Sequence, residues 1–321
     1  MGATAAVLGA SGYSGGEILR LLFGHPGLEV VAAAGDTRSG EPIAEVHPHL
    51  AGHCAERFGT STEAVTAEVD VLFSCLPSGS STALLNGARA ACVVDLGDDH
   101  RASPGWTYGL TEYVRSSMPA ERVANPGCYP TAALLGLLPF ALAGAMEGSV
   151  TITGLSGVSG AGRGPADHLS FAHMTGGVSA YGPTEHRHVP EIERGLAGIG
   201  GFEGPVSFIP HLVPMSRGLL VTARAGVTPG FTDEDARRLL ESRYGEERFV
   251  HVLEHWPGTK AVAGTNHALV HARVDARNSL LLCSVAIDNL GKGAAGQAIQ
   301  NANLALGLDE HLGLEGLAAW P

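Results

Sequence analysis

Thr4-Ala5-Ala6-Val7-Leu8-Gly9-Ala10-Ser11-Gly12-Tyr13-Ser14-Gly15 is the stretch on which the fold turns. Thr4–Leu8 is apolar without polar alternation, the pattern of a central parallel strand. A glycine-rich turn follows. The spacing then predicts a helix over Gly16–Phe23, with Ile18, Leu19 and Leu22 on one face, stopped by Gly24-His25-Pro26-Gly27. A second strand is predicted over Leu28–Ala33. The glycines are spaced Gly-x-x-Gly-x-x-Gly, and alone they are a weak signal. Between a strand and a helix they gain meaning, because backbone N–H groups and a helix N-terminus can then meet a pyrophosphate. Gly9, Ser11, Gly12, Tyr13, Ser14 and Gly15 are therefore expected to hold a dinucleotide.

Moving outward, Asp36-Thr37-Arg38-Ser39-Gly40 ends the second strand. An acid there usually holds a ribose hydroxyl, and an arginine accommodates a 2′-phosphate. Both are present. Arg38 and its hydroxyl neighbours, Ser39 included, tilt the expectation to NADP. Two more buried strands are predicted, Val71–Leu76 and Ala91–Leu96. Ligands collect beyond the carboxyl ends of such strands, which places Ser74, Pro77 and Ser78 near the cofactor. His47-Pro48-His49-Leu50 reads as a loop. The dinucleotide-binding domain is expected to span 1–125. A helix of small residues, Ala294–Leu306, is expected to return to it within 291–321, with Asn289 near that helix's start.

The second landmark is Val123-Ala124-Asn125-Pro126-Gly127-Cys128-Tyr129-Pro130-Thr131. A Pro-Gly turn leads to a lone cysteine, and an apolar helix is predicted over Thr131–Leu138. Unpaired N–H groups and the helix dipole favour a thiolate at such a corner, and thiolate is the nucleophilic form. The competing reading is a buried structural cysteine. From there to 290 the runs Ser149–Gly154, Pro205–Ile209, Gly218–Ala225, Ala268–Asp275 and Leu280–Asp288 predict a mostly antiparallel sheet. The expected fold class is thus α/β, a Rossmann-type domain plus an α+β substrate domain over 126–290.

Two loops in that domain carry chemistry. Ser156–Arg163 is flexible in composition and ends in a fixed charge. Tyr181–Ile192 contains His186-Arg187-His188, then Pro190 and Glu191, which suit the first turn of a helix. One histidine is expected to serve Cys128 as acid/base, with Glu191 as its orienting group. His186 is preferred over His188, because its separation from Glu191 lets the chain fold back. No third ligand accompanies the His-x-His pair, so no metal is expected. Arg163, Arg187 and Arg217 are candidates for fork-like binding of carboxylate or phosphate.

Composition sets limits on the rest. A net charge of −12 over 321 residues argues against non-specific nucleic-acid binding. Cysteines 54, 75, 92, 128 and 283 are odd in number and have no Cys-x-x-Cys spacing, as expected of a reducing cytosol. No run suggests a signal peptide or a membrane span, so a cytoplasmic protein with no membrane partner is expected.

Several segments together resemble one family, the N-acetyl-γ-glutamyl-phosphate reductases of arginine biosynthesis. They are Gly9–Gly15, His47–Leu50, Tyr108-Gly109-Leu110-Thr111-Glu112, Asn125–Thr131, Ser159–Arg163, His186–Ile192 and Gly291–Gln297, in order along nearly the whole chain. Asp95-Leu96-Gly97-Asp98-Asp99-His100-Arg101 departs from the more serine- and phenylalanine-like version expected there. The resemblance implies a fold like that of aspartate-semialdehyde dehydrogenase. It also implies NADPH-dependent reduction of N-acetyl-glutamyl 5-phosphate to the 5-semialdehyde through a Cys128 thioester. By the same resemblance Ser159, Gly160 and Asn289 would face NADP, and Asn125, Arg163, Arg187 and Arg217 the substrate, in a homodimer or homotetramer. Alternatives are a reductase of aspartyl or carrier-linked aminoadipyl phosphate, and a non-catalytic NADP-binding regulator.

Overall fold

The computed structural model describes residues 2–320. They fall into two compact units. One runs from the N-terminus to Gly127 and resumes over Ala294–Gly316; the other comprises Cys128–Gly293 with the residues from Leu317 onward.

The first unit holds a six-stranded parallel sheet. Its strands are β1 (Ala3–Leu8), β2 (Leu28–Ala33), β3 (Val71–Ser74), β4 (Cys92–Asp95), β5 (Thr107–Tyr108) and β6 (Arg122–Ala124), in the order β2-β1-β3-β4-β6-β5. Apolar residues fill β1, β3 and β4 because both faces of a parallel sheet are covered. One face packs Ala6, Leu8, Leu72 and Val93 against Ala64, Val65 and Leu85. The helix Tyr13–Phe23 starts three residues earlier than its apolar face suggested, and Ile18, Leu19 and Leu22 are buried as expected. The helix Gly296–Ala305 packs on this sheet with more than small residues. Gln297, Gln300, Asn301 and Asn303 are fully buried on it. Their amides are spent on the unit's interior, as with Gln297 Nε2 donating to Gly109 O at 3.0 Å.

The second unit holds seven strands: β7 (Met146–Gly157), β8 (Ser179–Ala180), β9 (Val206–Val213), β10 (Leu219–Val227), β11 (Val250–Val252), β12 (Ala268–Asp275) and β13 (Leu280–Ile287). Their order is β11-β12-β13-β10-β7-β9-β8. Only β7–β9 and β11–β12 pair in parallel. The expected fold class holds in both units.

The helix Cys128–Leu142 is buried along nearly its whole length and packs with β10 and β13 and with the helices Val189–Gly198 and Asp233–Tyr244. The sequence predicted its end at Leu138, before Pro139. A proline has no N–H for the carbonyl four residues back, here that of Leu135. Tyr244 supplies the missing donor, its phenol donating to Leu135 O at 2.6 Å, and the helix continues past the proline. The helix Asp233–Tyr244 was not predicted. Its signals are a Thr232/Asp235 capping box and the buried Ala236, Leu240 and Tyr244 four residues apart.

Candidate active site

In the first unit the glycine-rich turn is shaped by contact rather than by flexibility. Gly9 has φ +67°, and a Cβ there would lie 2.5 Å from the Cys75 carbonyl oxygen. A Cβ on Gly15 would overlap the Gly9 carbonyl. Gly12 takes the N-cap position of the Tyr13–Phe23 helix with no side-chain cap, so Tyr13, Ser14 and Gly15 form an open first turn. Such a turn suits an anion, by its N–H groups and its dipole. His47 braces it from behind: Nε2 lies 2.8 Å from Ala10 O, and the ring lies where a side chain on Gly16 would be. His47 lies between the short helix Ile43–Val46 and the turn Pro48–Leu50, and its ring is buried.

Beyond β2, Arg38 and Ser39 are exposed, and Arg38 Nη1 lies 2.9 Å from Glu41 Oε2. Pro77 follows β3 in the turn whose Gly79 N–H is held by the Asp99 carboxylate at 2.6 Å. Asn125 is fully buried in this unit: its Oδ1 accepts from Asn301 Nδ2 at 3.0 Å, and its Nδ2 donates to Ala294 O at 3.1 Å. Arg101, in the departing segment, donates from Nε to Asn125 O at 2.9 Å and from Nη2 to Leu96 O at 2.9 Å. That segment therefore anchors the loop before Cys128.

In the second unit Cys128 is the first residue of its helix, at the positive end of the dipole. Gly293 lies above it, where any Cβ would come 2.8 Å from Cys128 Cβ. Tyr129 is buried over Gly154, which has no room for a side chain under the ring. Around Tyr129 stand His186, His188 and Phe208, with ring centroids at 5.9, 6.0 and 4.9 Å. Tyr181 closes the group, 5.7 Å from the His186 ring, with its hydroxyl 3.4 Å from that of Tyr129. Burial raises both phenols above the ordinary tyrosine range, and the charge of Cys128 adds to both shifts. Both therefore stay protonated at neutral pH.

His186 is half-buried. Burial, helped by the Arg187 charge, lowers its pKa to about 4. Its Nδ1 accepts the His188 backbone N–H at 3.2 Å, so the neutral ring carries its proton on Nε2. The ring is oriented by this amide, together with ring packing against Tyr129, Tyr181, His188 and Phe208; Glu191 is the orienting group expected from the sequence. Five residues of chain do fold back, but into the first turn of the Val189–Gly198 helix. There His188 is the N-cap, and Glu191 is buried on the helix. The other four cysteines have thiols raised chiefly by burial: Cys54 to about 11, Cys92 and Cys283 to about 12, and Cys75 upward as well.

Asn289 joins two segments of the second unit. Its Oδ1 accepts Gly218 N–H at 2.8 Å, and its Nδ2 donates to Ser159 Oγ at 2.8 Å. It ties the loop carrying Ser159, Gly160 and Arg163 to the turn carrying Arg217. Backbone bonds Gly157 N to Gly218 O (2.9 Å) and Val158 N to Met215 O (2.9 Å) zip the same two segments. Arg217 Nε lies 3.1 Å from the fully buried Asp288 carboxylate, which also accepts N–H groups of Leu290 and Gly291 at 2.8 Å each. Arg187 is exposed and Arg163 half-buried. Sequence reasoning missed Asp288, Tyr129 and Tyr181. Only the adjacency of Asp288 to Asn289 after an apolar strand hinted at the first.

A family model described as semialdehyde dehydrogenase, NAD binding domain, matches residues 4–120, and one described as semialdehyde dehydrogenase, dimerisation domain, matches residues 128–289. The chain is 43% identical to an N-acetyl-gamma-glutamyl-phosphate reductase of Micrococcus luteus over 97% of each chain. It is 43% identical to one of Arthrobacter sp. over 96% of each. Among solved structures, aspartate semialdehyde dehydrogenase II of Vibrio cholerae complexed with ASA superposes with TM-score 0.76 at 18% identity, covering 95% of this chain and 98% of that one. Aspartate semialdehyde dehydrogenase of Candida albicans with NADP gives 0.73 at 18% identity, over 96% and 99%. No helix among the described residues is long and apolar enough to cross a membrane.

Proposed function

The chain belongs to the N-acetyl-γ-glutamyl-phosphate reductase family, and from that membership we propose that it reduces N-acetyl-L-glutamyl 5-phosphate to the 5-semialdehyde with NADPH, releasing phosphate, in arginine biosynthesis. The observation that carries the reading is Cys128 at the head of a buried helix, followed by Tyr129 in a cluster with His186 and Tyr181.

The helix start favours the Cys128 thiolate, which attacks the acyl carbon; phosphate leaves and a thioester remains. The nicotinamide cofactor, when bound, supplies the hydride that reduces this thioester. The Gly9–Gly15 turn fits such a group, because its glycines let the backbone turn tightly between strand and helix and no side chain caps the helix N-terminus. Gly9, Ser11, Gly12, Tyr13, Ser14 and Gly15 would hold the pyrophosphate, with Arg38, Ser39 and Pro77 further along the same edge. His186, neutral and protonated on Nε2, donates to the oxygen that gains charge at the acyl carbon. Loss of thiolate then frees the aldehyde. Arg163, Arg187 and Arg217 would meet the carboxylate and phosphate of the substrate, and Asn125 would hold the loop before Cys128. His188 and Glu191 set the helix start on which His186 leans. Asn289 would order the Ser159–Gly160 loop. A cytoplasmic homo-oligomer completes the reading, supported by the dimerisation-domain match.

The test is phosphate-dependent reduction of NADP with N-acetyl-glutamate semialdehyde, run beside Cys128→Ala. The expected result is turnover that vanishes in the variant. Activity with aspartate semialdehyde alone would keep the chemistry and overturn the substrate. Absence of turnover with every aldehyde, with NADP still bound, would overturn the enzymatic reading.

A further inference from the structure

Arg57 is the unassigned residue on which the cofactor edge of the first unit converges. The segment Glu56–Phe58 runs back along the turn after β2. Gly40 N–H donates to Phe58 O at 2.8 Å, Phe58 N–H to Glu41 O at 3.0 Å, and Pro42 bridges Arg57. Arg57 Nη1 then donates to Gly40 O at 2.7 Å, which fixes its guanidinium beside the exposed turn of Arg38 and Ser39. Gly35, at the root of that turn, is wedged between Phe58 and Ser11: a Cβ on it would lie 3.0 Å from the Phe58 ring and 3.2 Å from Ser11 Cβ. Two arginines thus lie on adjacent segments that join the glycine-rich turn through Gly35.

The acid at the end of β2 is bonded within the protein. Both carboxylate oxygens of Asp36 lie at 2.6 Å from Ser61, one accepting its backbone N–H and the other its hydroxyl. Ser61 is the first residue of the short helix Ser61–Thr66, whose N-cap is Thr60. A carboxylate facing the ribose would bind its two hydroxyls and repel a 2′-phosphate. Tied to Ser61, Asp36 is aimed elsewhere. Arg38 pairs with Glu41 on the exposed surface, and such a pair is a weak competitor for a dianion.

We propose that Arg57 and Arg38 together read the 2′-phosphate of the adenosine ribose, and that Ser61 makes this possible by drawing Asp36 off the ribose. The proposal rests on the reading of the glycine-rich turn as a nicotinamide-dinucleotide site and assigns its specificity. A planar guanidinium pairs with phosphate through two N–H bonds, and charge-assisted bonds of this kind are the strong ones.

The experiment titrates NADPH and NADH into the full chain by nicotinamide fluorescence, so the readout is affinity and not turnover. The wild type is expected to bind NADPH more tightly. Arg57→Met is expected to weaken NADPH by about tenfold, leaving NADH unchanged, as for loss of one hydrogen bond to a charged group. Arg57→Lys, which keeps the charge and loses the fork, is expected to fall between. Arg38→Met with Arg57→Met is expected to abolish the preference. Asp36→Asn is expected to leave NADH affinity unchanged. An unchanged preference in Arg57→Met would overturn the role of Arg57, and tenfold weaker NADH binding by Asp36→Asn would show that Asp36 reads the ribose after all. Either failure would leave Cys128-dependent turnover intact, whereas failure of both nucleotides to bind the wild type would remove the dinucleotide reading and this assignment with it.

Discussion

Gly9 to Gly15 form their site with backbone from one contiguous turn, while Cys128, His186 and Tyr181 form theirs with side chains from separate segments of the other unit. In the first, what matters is what is missing: no Cβ at Gly9 or Gly15, no side-chain cap at Gly12. In the second, what matters is where each proton sits. His188 N–H occupies His186 Nδ1, and burial with the Arg187 charge keeps the ring neutral. A backbone site fails by steric overlap and a side-chain site by lost chemistry, so substitutions in the two should have different signatures.

The largest expected effect separates chemistry from shape. His186→Asn is expected to lower kcat by about 10²–10⁴-fold, the usual size of general acid–base catalysis, and to spare NADPH binding. His188→Asn is expected to cost less and to affect stability as well, because His188 is buried at the helix N-cap. Steady-state kinetics beside a nucleotide titration checks both. Equal kcat losses with no change in stability would remove the distinction between the two histidines.

Gly9→Ala tests the opposite kind of site. Its φ of +67° and the Cys75 carbonyl leave no room for a methyl group. Strain of this kind costs about 1–3 kcal/mol. Chemical denaturation should show that loss together with lost nucleotide affinity. Alkylation of Cys128 should remain selective, since burial holds the other four thiols high. Normal nucleotide binding by the variant would mean the turn is not a tight cradle.

The contrast also decides what could be read from sequence. The glycine turn was legible because strand, turn, helix and strand follow one another without interruption. Cys128 was legible for the same local reason, a Pro-Gly turn running into an apolar helix. The orientation of His186 was not. The partner of its Nδ1 is a backbone N–H two residues on, and no side-chain pattern announces such an amide. The bracing role of Asn289 was hidden in a related way: its amide spans Gly218 and Ser159, and the pairing of those two segments is a property of the sheet. Pro139 hid the last turn of the central helix, because the compensating donor, Tyr244, lies 109 positions from the carbonyl it serves.

Tyr244→Phe isolates that compensation. The ring stays in place while the Leu135 carbonyl loses its donor in a buried setting. The expected loss is about 1–3 kcal/mol, the range for leaving a buried polar group unsatisfied. Urea denaturation measures it, and kcat should hardly move. A change below measurement error would mean that the carbonyl finds another donor and that Tyr244 serves the helix by packing alone.

Arg187→Gln carries the smallest effect and the sharpest test of the electrostatics. Two causes lower the His186 pKa to about 4, burial first and the Arg187 charge second. Removing the second should raise the pKa while burial keeps it below the ordinary value near 6.5. The wild-type acid limb of kcat should therefore lie near pH 4, with no break at 6.5, and it should move upward in the variant. The same sign holds for stability. A histidine whose folded pKa is depressed contributes fully above about 6.5, and that contribution is lost as pH falls towards 4; the loss should be smaller in Arg187→Gln. Arg187 is also proposed to meet the substrate, so KM should rise at every pH, while only the position of the acid limb in kcat reports on His186. A limb that stayed fixed while KM rose would assign Arg187 to substrate alone and leave burial as the whole cause of the neutral ring.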